Sequence, residues 1–224
     1  ISSNLNFDCS VHVENMANFN NTVFKKCNSR QCGLCCVFKP SDSFTSTTTN
    51  RTYKAKIPEN IKLVDCNTTN CVYLITCSVC SLQYVGETVQ SVKDRVKTHR
   101  RCMNNPNKDN NCNILYKHFN STLCQKATYS VQIIEVLEGT GRDDKNAVDP
   151  AATTLRQKRE TEWMLKLRSV YPYGLNDRIG NKYRSSITST IAKFFPKLER
   201  RQKRPTRERK GRNIVSHIDV ILEM

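Results

Sequence analysis

Acidic residues and long apolar runs are both scarce in this sequence. No apolar run approaches the roughly 18–20 residues that a helix needs to cross a bilayer, which excludes a membrane-spanning protein. Against 36 Lys and Arg there are only 20 Asp and Glu, so the formal net charge is +16. This surplus predicts a polyanionic partner, most simply nucleic acid, in preference to an acidic membrane surface or to no such partner.

The remaining composition is typical of a folded chain. With 38% hydrophobic and 25% charged residues, the 224 residues can form one or two domains with a proper core. The sequence begins with Ile1, so we expect a fragment of a longer protein whose targeting signals are missing from it. Nothing in these residues resembles a polymerase.

Twelve cysteines pose a choice between disulfides and metal sites. Asn-x-Thr sequons would suit a secreted, disulfide-bonded chain, and they begin at Asn20, Asn50, Asn67 and Asn120. Asn and Thr are so frequent here, however, that sequons are expected by chance. The Cys-x-x-Cys spacings with histidine nearby favour zinc in a reducing compartment.

The first group of cysteines has metal-ligand spacing: Cys27, Cys32 and Cys35. A structural zinc ion takes four ligands, and the fourth that we predict is Cys66, which follows a Ser/Thr-rich loop over residues 41–50. Cys36 and Cys71 compete for this position, and some of these cysteines could instead be buried free thiols. Because so short a segment has little apolar surface, bound metal would supply its folding energy.

A β-hairpin is predicted by two apolar segments rich in β-branched and aromatic residues, 72–76 and 82–85. The turn between them carries Cys77 and Cys80, again at metal-ligand spacing. Gly86 is expected to end the second strand.

A helix should follow the hairpin, because Ser91 precedes Asp94 by three residues, as at a capped helix start. Arg95 and His99 are four residues apart on this helix and therefore share one face. Hairpin and helix together would present two tyrosines, an arginine and a histidine.

Further elements are predicted from apolar periodicity: a short strand around 52–57, a helix over 112–119, a strand over 129–137 and a long helix over 154–168. In the long helix we place four apolar residues on one face: Leu155, Trp163, Met164 and Leu167. Pro172 and Gly174 are expected to end that helix.

The order of these residues resembles the GIY-YIG endonuclease family. The two triplets that name the family correspond to Val72-Tyr73-Leu74 and Tyr84-Val85-Gly86, and an Arg-x-x-x-His pair follows. The inserted Cys-x-x-Cys and the letters YVGET make the stretch more narrowly similar to the endonuclease domain of Penelope-like retroelements. The similarity extends to Glu160, Trp163 and Asn176 and covers roughly half of the chain.

This resemblance implies a site that cleaves phosphodiester bonds, with six residues: Tyr73, Tyr84, Arg95, His99, Glu160 and Asn176. Tyr73 would accept a proton from the attacking water, Tyr84 would bond the water or the phosphate, and Arg95 would bind the scissile phosphate. His99 would hold or relay a proton. Glu160 would bind one Mg²⁺ or Mn²⁺, and Asn176 would support the site.

Two glutamates compete for the metal-binding role. In the family, this glutamate precedes an aromatic residue by three positions and an aliphatic one by four, so Trp163 and Met164 select Glu160. Glu162 would point about 200° away on a helix that turns 100° per residue.

The resemblance also implies a second zinc ion, with ligands Cys77, Cys80, His118 and Cys124. The family's last two ligands form a His-Phe-x4-His pattern, and here Cys124 replaces the final histidine. Cysteine is an equally good zinc ligand. A rival assignment makes His99 the ligand and leaves His118 incidental.

Each candidate catalytic residue taken alone has a simpler explanation. The two tyrosines could be core residues of their strands. Arg95 and His99 could form a solvated helix face, and Glu160 could form a surface ion pair. Only the joint order and spacing of these residues indicates a site.

Together these features predict an α/β (α+β) fold, with a small three-stranded, mostly antiparallel sheet flanked by helices, as in GIY-YIG nucleases. We divide the chain into a linker or the end of a preceding domain (1–26), a cysteine-rich zinc module (27–66), the endonuclease domain with its inserted zinc finger (67–177) and a basic tail (178–224). Residues 177–224 carry 13 Lys and Arg against 5 Asp and Glu, about half of the net charge. Such a tail suits a nuclear localisation signal, a backbone-binding arm or a solvated segment.

The function that the resemblance implies is a metal-dependent nick in DNA. The free 3′ hydroxyl would then prime reverse transcription of element RNA, in the nucleus, by a reverse transcriptase domain of the same parent polypeptide. Two alternatives are a host structure-specific GIY-YIG repair nuclease and a non-catalytic, zinc-dependent module that binds nucleic acid.

Overall fold

The computed structural model describes residues 22–104, 113–125, 127–138 and 150–177. Residues 1–21 of the predicted linker and the basic tail 178–224 lie outside these ranges. The described residues belong to one compact unit. No helix within them is long and apolar enough to cross a membrane.

The elements of the described ranges follow one another in this order: β1 (Val23–Phe24), β2 (Ser43–Thr45), β3 (Thr52–Lys54), β4 (Leu63–Val64), β5 (Cys71–Cys77), β6 (Gln83–Thr88), α1 (Val92–Asn104), α2 (Asn113–Phe119), β7 (Tyr129–Val136) and α3 (Pro150–Leu167).

A three-stranded antiparallel sheet in the order β6-β5-β7 forms the centre of the fold. The middle strand β5 is buried on both faces, which explains why its sequence is a continuous apolar run. The register between β5 and β7 shifts between Val72 and Tyr73, as at a β-bulge. The predicted α/β fold with an antiparallel sheet and flanking helices is confirmed.

Helices cover the sheet. The apolar faces of α1 and α2 share one core with Tyr73, Ile75 and other residues of β5 and β7, while α3 lies against β6. The helix start predicted at Ser91 is confirmed, because the Ser91 hydroxyl accepts the Asp94 backbone N–H at 3.2 Å and lies 2.5 Å from the Asp94 carboxylate.

The cysteine-rich segment is attached to the outer edge of the sheet. The Lys39 N–H donates to the Val131 carbonyl at 2.9 Å, and the Lys56 N–H donates to the Ile134 carbonyl at 3.0 Å. Within the segment, β1 pairs with β4 in parallel and β2 pairs with β3 in antiparallel fashion. This attachment fixes the position of the segment relative to β5.

Gly86 does not end its strand, contrary to the sequence-based expectation. It lies inside β6 opposite Tyr73, and the strand continues to Thr88. A Cβ atom at this position would overlap the Tyr73 and Tyr84 rings. Glycine is needed here because the strand passes close to the Tyr73 ring.

The long helix also differs from its prediction. It begins four residues earlier, at Pro150, a residue favoured in the first helical turn. It ends at Leu167, before Pro172 and Gly174, because Arg168 adopts a left-handed φ of 53° that terminates the helix. Leu155 does not share the buried face of Trp163 and is 46% exposed, since eight residues separate the two by about 80° around the axis.

Three short strands lie where the sequence predicted none. Val23–Phe24 falls in the predicted linker, Ser43–Thr45 falls in the predicted Ser/Thr-rich loop, and Leu63–Val64 falls in the predicted zinc module. Strands of two or three residues are too short to show an alternating pattern. They form by pairing with strands whose residues lie 7 to 40 positions away along the chain.

Candidate active site and metal centres

Tyr73 is the centre of the candidate active site. Its ring is fully buried between β5 and α1, and its hydroxyl oxygen lies 2.7 Å from His99 Nε2. The same oxygen accepts a hydrogen bond from Arg95 Nε at 3.3 Å. The four-residue spacing on α1 therefore brings both side chains to one phenol.

Burial determines the protonation states in this cluster. It raises the pKa of Tyr73 well above 10, an effect that Tyr84 reinforces and the Arg95 guanidinium opposes. Burial, with the positive charge of Arg95, lowers the pKa of His99 to about 3. A neutral phenol is therefore in hydrogen-bond contact with a neutral imidazole, and a proton can pass between them.

The side of the cluster that is open to solvent consists of Tyr84, Arg95 and Glu160. Each is partly exposed, whereas Tyr73 and His99 are buried. The Tyr84 ring packs edge-on against the His99 ring with the centroids 5.6 Å apart. A substrate would meet the three partly exposed side chains first.

Glu160 reaches the cluster from α3 and lies beside Glu87, a residue that the sequence analysis did not single out. The backbone of Glu87 lies close enough to the Glu160 carboxyl to favour its ionised form, which lowers its pKa. Burial, with the negative charge of Glu87, raises the pKa of Glu160 to about 8, against an opposing effect of Arg95. Glu162 instead accepts a hydrogen bond from Arg159 at 2.8 Å.

A buried arginine holds Glu87 in place. Arg156 Nε donates to Glu87 Oε2 at 2.9 Å, and its Nη1 donates to Asn70 Oδ1 at 2.9 Å. Because Arg156 precedes Glu160 by four residues, one turn of α3 both fixes Glu87 and presents Glu160. The glutamate in YVGET was visible in the sequence, but no spacing rule connects it with an arginine 69 positions later.

Asn176 supports the site through the backbone of β6. Its Oδ1 accepts the Val85 N–H at 2.9 Å, and its Nδ2 donates to the Val85 carbonyl at 2.7 Å. The amide side chain therefore pairs with the outer edge of β6 as a neighbouring strand would, beside Tyr84. Ser169 also donates to Asn176 Oδ1, at 2.7 Å. These bonds make Asn176 a positioning residue.

The carboxylates of the cluster suit a divalent cation. Glu160 offers oxygen ligands with Glu87 beside it, and Mg²⁺ and Mn²⁺ prefer such oxygens. A cation at Glu160 would stabilise the ionised form that burial and Glu87 disfavour. The residues present therefore fit the metal that the resemblance implies.

The first metal cluster contains the four cysteines predicted for it, whose sulfur atoms all lie within 4.8 Å of one another: Cys27, Cys32, Cys35 and Cys66. The Cys35 sulfur is 3.5 Å from that of Cys27 and 3.7 Å from that of Cys66. Sulfurs around a tetrahedral zinc ion with bonds of about 2.3 Å are about 3.8 Å apart, so this group can hold zinc. Of the competing cysteines, Cys36 is disulfide-bonded and Cys71 is buried in β5.

The second metal cluster likewise brings together its four predicted ligands within 4.8 Å: Cys77, Cys80, His118 and Cys124. The Cys77 and Cys124 sulfurs are 3.9 Å apart, and the Cys80 sulfur is 3.5 Å from His118 Nε2. Burial, with the neighbouring Cys77, raises the pKa of Cys124 to about 12, and a zinc ion would hold it as the thiolate. The rival ligand His99 is bonded to Tyr73 instead.

The mixed α/β fold, with its three-stranded antiparallel sheet and helices, is consistent with the GIY-YIG fold. Residues 69–173 match the family model described as the GIY-YIG catalytic domain. This match covers slightly less than half of the chain, and the family that it identifies consists of endonucleases that act on DNA and use divalent metals. No curated protein and no solved structure matches the chain.

Proposed function

We propose that the chain is a divalent-metal-dependent DNA endonuclease that nicks one strand, as the endonuclease domain of a Penelope-like retroelement would. The observation that supports this most directly is the pair of contacts at the Tyr73 hydroxyl, 2.7 Å from His99 Nε2 and 3.3 Å from Arg95 Nε. A tyrosine that served packing alone would need one hydrogen-bond partner, not two basic ones.

Arg95 is the residue that we assign to the scissile phosphate. Its guanidinium is permanently charged and planar, and it is partly exposed. To bind a phosphate the side chain would turn away from Tyr73 and give up a hydrogen bond that is long, at 3.3 Å. That movement would admit water to the Tyr73 hydroxyl, which Arg95 helps to cover.

Tyr73 would then accept the water proton while giving its own proton to His99 Nε2. This transfer avoids forming a free phenolate, whose formation burial strongly opposes. The negative charge of the bound phosphodiester would offset the burial that disfavours a protonated His99. Tyr84 would hydrogen-bond the water or the phosphate, and a divalent cation at Glu160 would stabilise the leaving 3′ oxygen.

The biological setting that we propose is retroelement insertion in the nucleus. The nicked 3′ hydroxyl would prime reverse transcription of element RNA by a reverse transcriptase domain of the same parent polypeptide. Support comes from the sequence, through the Cys-x-x-Cys insertion, the letters YVGET and the basic segment 178–224. The division into a zinc module at 27–66 and an endonuclease domain at 67–177 belongs to the same proposal.

Cleavage of supercoiled plasmid tests both the nicking activity and the residues assigned to the active site. In Mg²⁺ or Mn²⁺ the parent chain should convert it to the nicked circle, as followed on agarose gels. Glu160→Ala and Arg95→Ala should each lower the rate by about 100-fold or more, because both remove charge aimed at the reacting phosphate.

Glu162→Ala is the matched control, since it removes the same charge from the same helix at a residue that pairs with Arg159. Its nicking rate should stay near that of the parent. Equal loss in Glu162→Ala and Glu160→Ala would contradict the metal assignment. Binding of the plasmid by the parent without any cleavage would favour a module that only binds nucleic acid.

A further inference from the structure

We infer that the cleft between the two metal clusters binds the sugar–phosphate backbone of the substrate strand. This inference rests on the proposed function and adds to it a path for the nucleic acid beyond the reacting phosphate. The cleft has a volume of about 780 Å³. Its walls come from 24–28 and 36–41 beside the first cluster, and from 76–81 and 128–130 beside the second.

All charged residues that line this cleft, among those that the structure describes, are positive. Lys25, Lys26 and Lys39 line it, and no Asp or Glu does. Within the part of the chain that the structure describes, none of these lysines has a carboxylate within 4.0 Å. Three positive charges without such partners form a site for a polyanion.

Two other clefts show that this pattern is not general on the surface. The cleft beside Lys93 and Lys97 also contains Asp94. The cleft beside Lys56 and Arg159 contains Glu135 and Glu138. In both, carboxylates reduce the positive potential that would attract a phosphate chain.

The lysines project from backbone that the sheets hold in place. The Lys25 N–H donates to the Val64 carbonyl at 3.1 Å, and the Lys39 N–H donates to the Val131 carbonyl at 2.9 Å. Ser78 and Ser81 add exposed hydroxyls to the opposite wall, and phosphate oxygens accept hydrogen bonds from such groups. A strand of nucleic acid can enter this concave surface, whereas a flat lipid surface cannot.

The position of the cleft matches a substrate cut at Tyr73. The strand β5 carries Tyr73 and, three and four residues further on, Thr76 and Cys77 of the cleft wall. Three residues of a strand span about 10 Å. That length equals about three nucleotides at the 3.4 Å rise of a duplex, so the β5 wall of the cleft lies within a few nucleotides of the cut.

The test compares two triple variants of the full chain in a Glu160→Ala background that prevents cutting. Lys25→Gln/Lys26→Gln/Lys39→Gln neutralises the cleft. Arg51→Gln/Lys54→Gln/Lys158→Gln removes the same charge from exposed positions outside it. Affinity for a fluorescent DNA duplex is measured by anisotropy over a series of salt concentrations.

The cleft variant should bind at least tenfold more weakly near 0.1 M salt, with a salt slope lower by about 3, one for each phosphate contact. The control variant should change the slope by less than about 1. Because Lys26 precedes a zinc ligand, Lys39→Gln alone is measured as well, and it should lower the slope by about 1. Equal effects of the two triple variants would overturn the inference.

Failure of this inference can be separated from failure of the proposed function. If the parent nicks plasmid but the cleft variant binds DNA as the control does, only the cleft assignment is wrong. If the parent neither binds nor nicks DNA, the proposed function fails too. Binding to vesicles that contain phosphatidylserine is measured as well. If the cleft variant lost vesicle binding but kept its DNA binding, the lysines would bind a membrane surface and the inference would be overturned.

Discussion

At Gly86 the absence of a single carbon atom allows Tyr73 to reach His99. A Cβ here would overlap the Tyr73 hydroxyl and ring and crowd the Tyr84 ring. Gly86→Ala must therefore move Tyr73 or distort β6, and such overpacking costs about 1–3 kcal/mol. We expect a lower Tm and strongly reduced nicking, as measured by thermal unfolding and the plasmid assay.

Gly33→Ala is a milder change of the same kind. The Cβ it adds would meet only the end of the Arg100 side chain, which would have to shift and weaken its hydrogen bond to the Gly33 carbonyl. Its losses of Tm and nicking should therefore be smaller than those of Gly86→Ala. A Gly86→Ala chain with parental stability and activity would show that close packing of Tyr73 on β6 is not required.

Because the pKa of Glu160 is raised, the free energy of unfolding should depend on pH. In the folded chain without Mg²⁺ this pKa rises from 4.5 to about 8, through burial and the charge of Glu87. Between those pH values the folded state keeps a proton that the unfolded state has released. The free energy of unfolding therefore falls as pH rises through this range.

Glu160→Gln should remove this fall, because glutamine stays neutral. Urea unfolding at pH 5 and pH 8.5, with zinc retained and Mg²⁺ absent, should show the variant gaining about 2–4 kcal/mol over the parent at the higher pH. Glu162→Gln controls for general charge and should show no such gain. A parent and Glu160→Gln pair that respond alike to pH would mean that Glu160 ionises normally.

At the scale of elements, the sequence predicted those whose determinants are local. The apolar run of β5, the cap at Ser91 and the Arg95–His99 spacing each lie within a few residues, and each gave a correct element or face. The predicted strand end at Gly86 was wrong because a glycine inside a strand and a glycine that ends one can have the same neighbouring residues. Their difference depends on the Tyr73 ring, which comes from another strand.

The parts that sequence reasoning missed depend on contacts between distant residues. Arg156 and Glu87 are 69 positions apart, and neither has a neighbour in sequence that indicates the other. The pairing of Asn176 with the Val85 backbone joins residues 91 positions apart. In the first case α3 holds β6 in place, and in the second the segment after α3 does so. Only the folded chain brings these partners together.

At the scale of the whole molecule, α1 connects the first metal cluster to the candidate active site. The Lys93 N–H at its start donates to the Cys66 carbonyl at 3.1 Å, and Arg100 Nη2 donates to the Gly33 carbonyl at 2.6 Å. Between these two attachments the helix carries Arg95 and His99. The segment that would bind zinc thus holds the helix of the candidate active site at two points.

Loss of the first zinc should therefore impair a site that contains no cysteine. Cys66→Ser should lower bound zinc from about two ions per chain to about one, measured by atomic emission. Because a displacement of about 1 Å in a catalytic group can cost about 100-fold in rate, nicking should fall by a similar factor even at saturating Mg²⁺.

Cys71→Ala is the control for this prediction. Cys71 is buried in β5 outside both clusters, so its substitution should leave zinc content and nicking nearly unchanged. A Cys66→Ser chain that loses zinc but nicks normally would show that α1 keeps its position without the first cluster.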